Sequence, residues 1–192
     1  MSGDAIKLVT DELRRRLEIA LTRSTIPGTV FVGPLDDADA SGAALVLFLY
    51  RIVPNANLRN REHTIVTNTP PPIIYRNSLP LDLYYLVTVG TIPGSSEETL
   101  LTALGFAMQE LQMDPELTGP TINHQAVHVS LEPLTTEESS RIWALFPTAN
   151  YRTTVAYLAT PVWIDPERPT IPAEPVVQDQ LLAGVLEPEI AS

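Results

Sequence analysis

The feature that most constrains the fold is an apolar run over residues 43–53. Through most of this run, both the odd and the even positions are apolar. In an extended segment these positions point to opposite faces, so both faces would have to be buried. Such a segment predicts a strand in the middle of a sheet. Residues 81–89 alternate apolar and more polar side chains between Pro80 and Gly90, which predicts a second core strand.

Helical signals surround these two strands. Residues 5–22 carry apolar side chains at helical spacing and predict an amphipathic first helix. Ser95 with Glu98, and Thr135 with Glu138, have the spacing of capping boxes, which indicate two further helix starts. The second helix should end near Asp114, just before a proline, and the third should be short.

Three weaker strand patterns lie at residues 29–32, 127–131 and 153–164. Pro161 should break the last strand or place it at an edge, because proline donates no ladder hydrogen bond. We therefore predict an α+β fold: a mixed, mainly antiparallel sheet of about four to five strands, packed with about three helices. The proline-rich stretch 54–79 is expected to be a long loop with room for an edge hairpin.

The chain is long enough for one sizeable core, with 192 residues of which 44% are hydrophobic. Prolines at 166, 169, 172 and 175 mark a change of character after Asp165. We predict a single domain over residues 1–165 and an extended, acidic, proline-rich tail over residues 166–192.

The net charge of −11 would repel nucleic acid and anionic lipid, so we expect neither as a partner. The longest apolar run is far shorter than the roughly 20 residues that a membrane-spanning helix needs. No secretory leader pattern begins the sequence, and the lack of cysteine suits a reducing compartment. These features favour assembly in the cytoplasm without membrane insertion.

Signals for catalysis are weak. Neither a glycine-rich phosphate loop nor a nucleophile elbow occurs, and Glu137-Glu138 is better explained as a pair of first-turn helix acids. His63, His124 and His128 are the only histidines, and a metal-dependent hydrolase built on them is the enzymatic alternative. The leading expectation is a protein with no catalytic residue, metal or cofactor.

Basic groups stand out against this acidic background. Arg59, Arg61 and His63 form one cluster, and Arg14, Arg15 and Arg16 another. Such patches can be solvated faces, or can meet acidic surfaces on a neighbouring copy. Arg59 and Arg61, with Tyr151 and Arg152, are the candidate assembly interface, whereas Trp143 is expected in the core.

Four stretches, taken in order, resemble the cap or tail-terminator family of extracellular contractile injection systems, which are phage-tail-like particles. They are residues 47–52 with Leu58-Arg59-Asn60, residues 80–86, residues 98–111, and residues 131–134 continuing through Trp143 to Tyr157-Leu158. The resemblance covers about residues 4–165, and the proline-rich stretch between Arg61 and Leu79 departs from it.

The resemblance implies a homo-oligomeric ring, hexameric in this family, on the last layer of inner tube and sheath. There it would end polymerisation and stabilise the particle, with the sheath and inner tube proteins as partners. A terminator or neck protein of a true contractile phage tail is the related alternative.

Overall fold

The computed structural model describes residues 2–65 and 73–169. This part of the chain contains three α-helices and eight strands. The helices are α1 (Ala5–Ser24), α2 (Glu97–Met113) and α3 (Thr136–Trp143). The strands are β1 (Thr29–Val32), β2 (Ala43–Pro54), β3 (His63–Ile65), β4 (Ile73–Tyr75), β5 (Leu79–Val89), β6 (Glu116–Leu117), β7 (Val127–Glu132) and β8 (Thr154–Ile164).

Six strands form one sheet in the order β1-β2-β5-β8-β7-β6, and β3 pairs with β4 in a separate hairpin. Only β1 and β2 run parallel; the other neighbours are antiparallel. The predicted α+β class, mixed sheet and three helices are confirmed, but the strand count was too low. The additional strands, β3, β4 and β6, are two or three residues long, which is too short for an alternating pattern.

One face of the sheet carries the main core. Helix α1 buries a stripe there that includes Val9, Leu13 and Leu17, and α2 packs beside it. The inward side chains of the central strands, such as Leu45 of β2 and Leu83 of β5, are fully buried beneath these helices. The apolar run that predicted a central strand therefore forms one, with β1 on one side of β2 and β5 on the other.

The caps of α2 and α3 test the two predicted capping boxes. At α3, Thr135 accepts from the backbone of Glu138, and Glu138 reaches back to Thr135, as predicted. At α2 the prediction of Ser95 as the cap was wrong by one residue. Ser96 has the extended backbone of an N-cap, and its hydroxyl accepts from the backbone N–H of Thr99.

Pro161 lies inside the sheet, because β8 pairs with β5 on one side and β7 on the other. Of the two predicted alternatives, a break in the last strand or a place at a sheet edge, the edge was wrong. The register shifts between Leu81, which faces Val162, and Leu83, which faces Ala159. This bulge leaves Pro161 out of the regular pairing, so its missing N–H costs the sheet no regular hydrogen bond.

The opposite face of the sheet is covered by α3 and the residues that follow it. Phe146 packs edge-on against Phe48 of β2, with ring centroids 5.4 Å apart. Trp143 is only 8% exposed, which confirms its predicted place in the core. The cover is incomplete, since Phe48 and Tyr50 are only partly buried.

Strand β8 ends at Ile164, and most of the predicted tail, residues 170–192, lies outside the described residues. The division into a domain and a tail therefore stays a prediction. Within the described ranges, no helix combines the length and apolar character needed to cross a membrane.

Candidate assembly interface

The loop that follows β2 presents Arg59 and Arg61. Asn55 fixes this loop: its side-chain oxygen accepts from the backbone N–H groups of Asn57 and Leu58, while its amide donates to Asp82 Oδ1 at 2.9 Å. Both arginines are exposed on this anchored loop. Their charges are therefore available to a partner at the end of the sheet where β2 finishes.

Tyr151 and Arg152 lie at the other end of the sheet, just before β8 begins. Tyr151 is 68% exposed, and its ring lies 5.3 Å from that of Trp143. Arg152 is half-buried and donates to the backbone oxygen of Gly90 at 2.8 Å, so it also has a structural role. The structure brings these two residues together but does not join them to Arg59 and Arg61.

An acidic loop, formed by Asp36, Asp37 and Asp39, lies at the same end of the sheet as Tyr151, where Asp36 and Asp37 line one pocket with Arg152. Asp37 accepts from the backbone N–H of Asp39, which shapes the loop, and all three carboxylates are exposed. This loop precedes β2, whereas the arginine loop follows it. At about 3.3 Å per residue, the 12 residues of β2 separate the acidic and basic ends by about 40 Å.

His63 does not belong to the exposed basic cluster, and grouping it with Arg59 and Arg61 was wrong. It is 8% exposed, stacks on Trp163 at 4.8 Å, and its Nδ1 lies 2.7 Å from Asp165 Oδ1. The same oxygen accepts from the Ser78 hydroxyl at 2.7 Å. Because Ser78 bonds the carboxylate rather than the imidazole, this is not a nucleophile–base arrangement. It anchors the β3–β4 hairpin to the end of β8.

The other two histidines lie apart from His63. His128 is exposed and pairs across the strands with Glu116 at 2.5 Å, while His124 is exposed in a turn with positive φ. In the described residues, no three histidine, aspartate or glutamate side chains group in a way that could hold a metal. The geometry gives the hydrolase alternative no support.

The three consecutive arginines of α1 bind within their own subunit. Arg14 pairs with Glu18 and Arg15 with Glu12, while Arg16 is buried and bridges Glu12 to Asp114. The hydrogen bonds from Arg15, chiefly, and from Arg16 hold the pKa of Glu12 below its ordinary value, although burial acts in the opposite direction. Of the three, Arg16 joins α1 to the end of α2.

An apolar groove between β2 and α3 was missed by sequence reasoning. We call it the α3 groove; it encloses about 340 Å³ and is lined by Phe48, Tyr50, Leu134, Ile142, Leu145 and Phe146. Leu145 lies two residues beyond the end of α3 at Trp143 and is 74% exposed. The groove is a second candidate surface for a partner.

Two solved structures resemble this fold. One is the PVC sheath/tube terminator in its extended state, from an extracellular contractile injection system. It is 14% identical in sequence, with a TM-score of 0.57, and the match covers 93% of this chain and 63% of that chain. The other is the tube-terminating cap of the anti-feeding prophage, 17% identical with a TM-score of 0.57, over 86% of this chain and 59% of that one. No curated protein sequence matches the chain at a significant level.

The chain thus has the fold found in terminator subunits of contractile injection particles, and it spans about three-fifths of the length of each of these two structures. The family model of the Pvc16 N-terminal domain matches residues 8–178. The chain belongs to this family, which confirms the resemblance identified from the sequence.

Proposed function

We propose that this protein is a structural terminator subunit that closes the end of the inner tube and sheath of a contractile injection particle. The observation that carries the proposal is the family match over residues 8–178, on a fold shared with two terminators. The subunit would end polymerisation by offering one docking face to the last layer and none to a following layer. Its work would be binding, without catalysis or cofactor.

A ring of identical subunits, hexameric as the resemblance implies, is the assembly we propose. A closed ring needs two different complementary patches on each subunit, because the contact is head to tail. The sheet offers such a pair: exposed Arg59 and Arg61 at one end, and the acidic loop containing Asp36 and Asp39 at the other. Opposite charges on the two ends would orient each copy toward the next. Tyr151 would add an aromatic contact beside the acidic loop.

The proposal is tested by removing the subunit from particles. Particles that lack it should have irregular lengths or sheaths that fail to hold, as seen by negative-stain imaging, and the wild-type chain supplied in trans should restore them. Light scattering of the purified chain, with and without isolated tubes, measures the size of the ring. Particles of normal length and stability without the subunit would contradict the terminator role.

A further inference from the structure

The α3 groove is an apolar surface whose cover is incomplete. Its floor consists of the aromatic side chains of Phe48 and Tyr50, and its outer wall includes Leu145, which is 74% exposed. Tyr50 is partly buried there, and this burial raises the pKa of its phenol. An occupant with small or branched apolar side chains would bury this wall and floor together.

Three charged side chains line the groove, and two of them, Arg51 and Arg141, are positive. Arg51 lies with its guanidinium 4.7 Å from the centroid of the Tyr84 ring, and Arg141 forms an exposed ion pair with Glu137. The one acid among the lining residues, Glu138, is held by the capping bonds to Thr135, which lower its pKa. The groove therefore suits an apolar segment whose flanks carry negative charge.

The sequence contains such a segment after the described residues. We propose that residues 181–186 of the same chain, Leu-Leu-Ala-Gly-Val-Leu, occupy the α3 groove. This apolar hexapeptide is flanked by Asp179 and Glu187, whose charges are opposite to those of Arg51 and Arg141. Leucine and valine side chains would cover the aromatic floor and the exposed Leu145.

The chain is long enough to make this contact within one subunit. Leu158, Tyr84 and Arg51 lie in one row across the sheet, and the described strand ends six residues beyond Leu158, at Ile164. To return from Ile164 to that row, the chain must travel about 20 Å along the strand direction and about 10 Å across two strand spacings. Residues 165–180 extend to about 50 Å, which leaves ample slack for the route around the sheet.

Disulfide trapping tests the proposal in the full-length chain, because the native sequence has no cysteine. The test variant carries Leu145→Cys with Ala183→Cys. The matched control carries Met113→Cys with Ala183→Cys, since Met113 is also an exposed apolar residue, at the end of α2 and outside the groove lining. Both partner positions are exposed, so neither change should disturb folding.

The expected result is an intrachain disulfide that forms at least about tenfold faster in the Leu145 variant than in the Met113 control, because docking raises the local concentration of the two thiols. Adding Leu181→Asp and Leu182→Asp should remove that advantage and increase amide hydrogen exchange in residues 134–146. Equal rates in both variants, or links that join only different subunits, would overturn the proposal.

Discussion

The hydroxyl of Tyr85 lies 2.8 Å from the hydroxyl of Thr10, which is 75 positions earlier in the chain. The Thr10 hydroxyl donates its hydrogen to the backbone oxygen of Ile6, also at 2.8 Å, so Tyr85 must be the donor to Thr10. Tyr85 is fully buried in the central strand β5, and burial raises its pKa. The contact joins α1 to the central strand across the core.

Replacing Tyr85 with Phe should lower the free energy of unfolding by about 1 kcal/mol, because it removes a satisfied buried hydrogen bond. Tyr157→Phe is the matched control. The Tyr157 hydroxyl is also buried, with its pKa raised to about 12, but no described residue bonds it. Its removal should be neutral or stabilising. Urea unfolding of both variants measures the difference, and equal losses would contradict the assignment of the Tyr85 bond.

Glu12→Gln should destabilise the protein by about 1–3 kcal/mol at pH 7, because it leaves the buried guanidinium of Arg16 without its helical partner. The folded-state pKa of Glu12 is lowered, so its contribution is present above the ordinary value near 4.5 and is lost as pH falls through the lower folded value. The gap between variant and wild type should therefore persist down to about pH 5 and shrink below it.

Urea unfolding of Glu12→Gln at a series of pH values measures this gap. Glu18→Gln breaks the exposed pair with Arg14 and should cost less than about 1 kcal/mol at any pH. A cost for Glu12→Gln that stays constant to pH 3 would show that the ionised carboxylate is not its source.

Long periodic segments could be predicted from sequence, whereas contacts between distant segments could not. The apolar run of β2 and the capping box at Thr135 are local patterns, and both were predicted correctly. Ser96 rather than Ser95 caps α2, and two neighbouring serines offer the same side chain, so the local sequence did not distinguish them. The two-residue strand β6 exists only because β7 lies beside it.

In the candidate interface, too, local features could be predicted and contacts between distant segments could not. Arg59, Arg61 and Tyr151 are exposed, and their place in an interface stays a prediction. Burial of His63 was unpredictable, because its partner Asp165 is 102 positions away and the pairing depends on how the hairpin folds against β8. Likewise, the α3 groove arises from where α3 ends relative to β2, which no local pattern shows.

Asp165→Ala should loosen the β3–β4 hairpin more than the rest of the protein. The substitution leaves His63 and Ser78 buried without their shared acceptor, at a local cost of about 1–3 kcal/mol. Amide hydrogen exchange in residues 63–65 and 73–78 should rise by at least about tenfold, while exchange in α1 changes little.

Glu62→Gln, which breaks an exposed ion pair with Arg76 near the same hairpin, is the control and should leave exchange nearly unchanged. Equal effects of the two variants would refute the anchoring role of Asp165.

Charge reversal tests the proposed head-to-tail contact. Arg59→Glu with Arg61→Glu, or Asp36→Arg with Asp39→Arg, should each weaken ring formation by at least about tenfold at low salt, since like charges would then face each other.

The two sets combined in one chain should restore the ring, because the reversed ends are again complementary. Lys7→Glu with Arg14→Glu changes the net charge by the same amount as the arginine set, but on α1 and away from both ends, and should leave the ring intact. Light scattering and negative-stain imaging measure the ring population for all four proteins. If the combined variant stays as weak as the single sets while remaining folded, the basic and acidic ends do not meet in the ring.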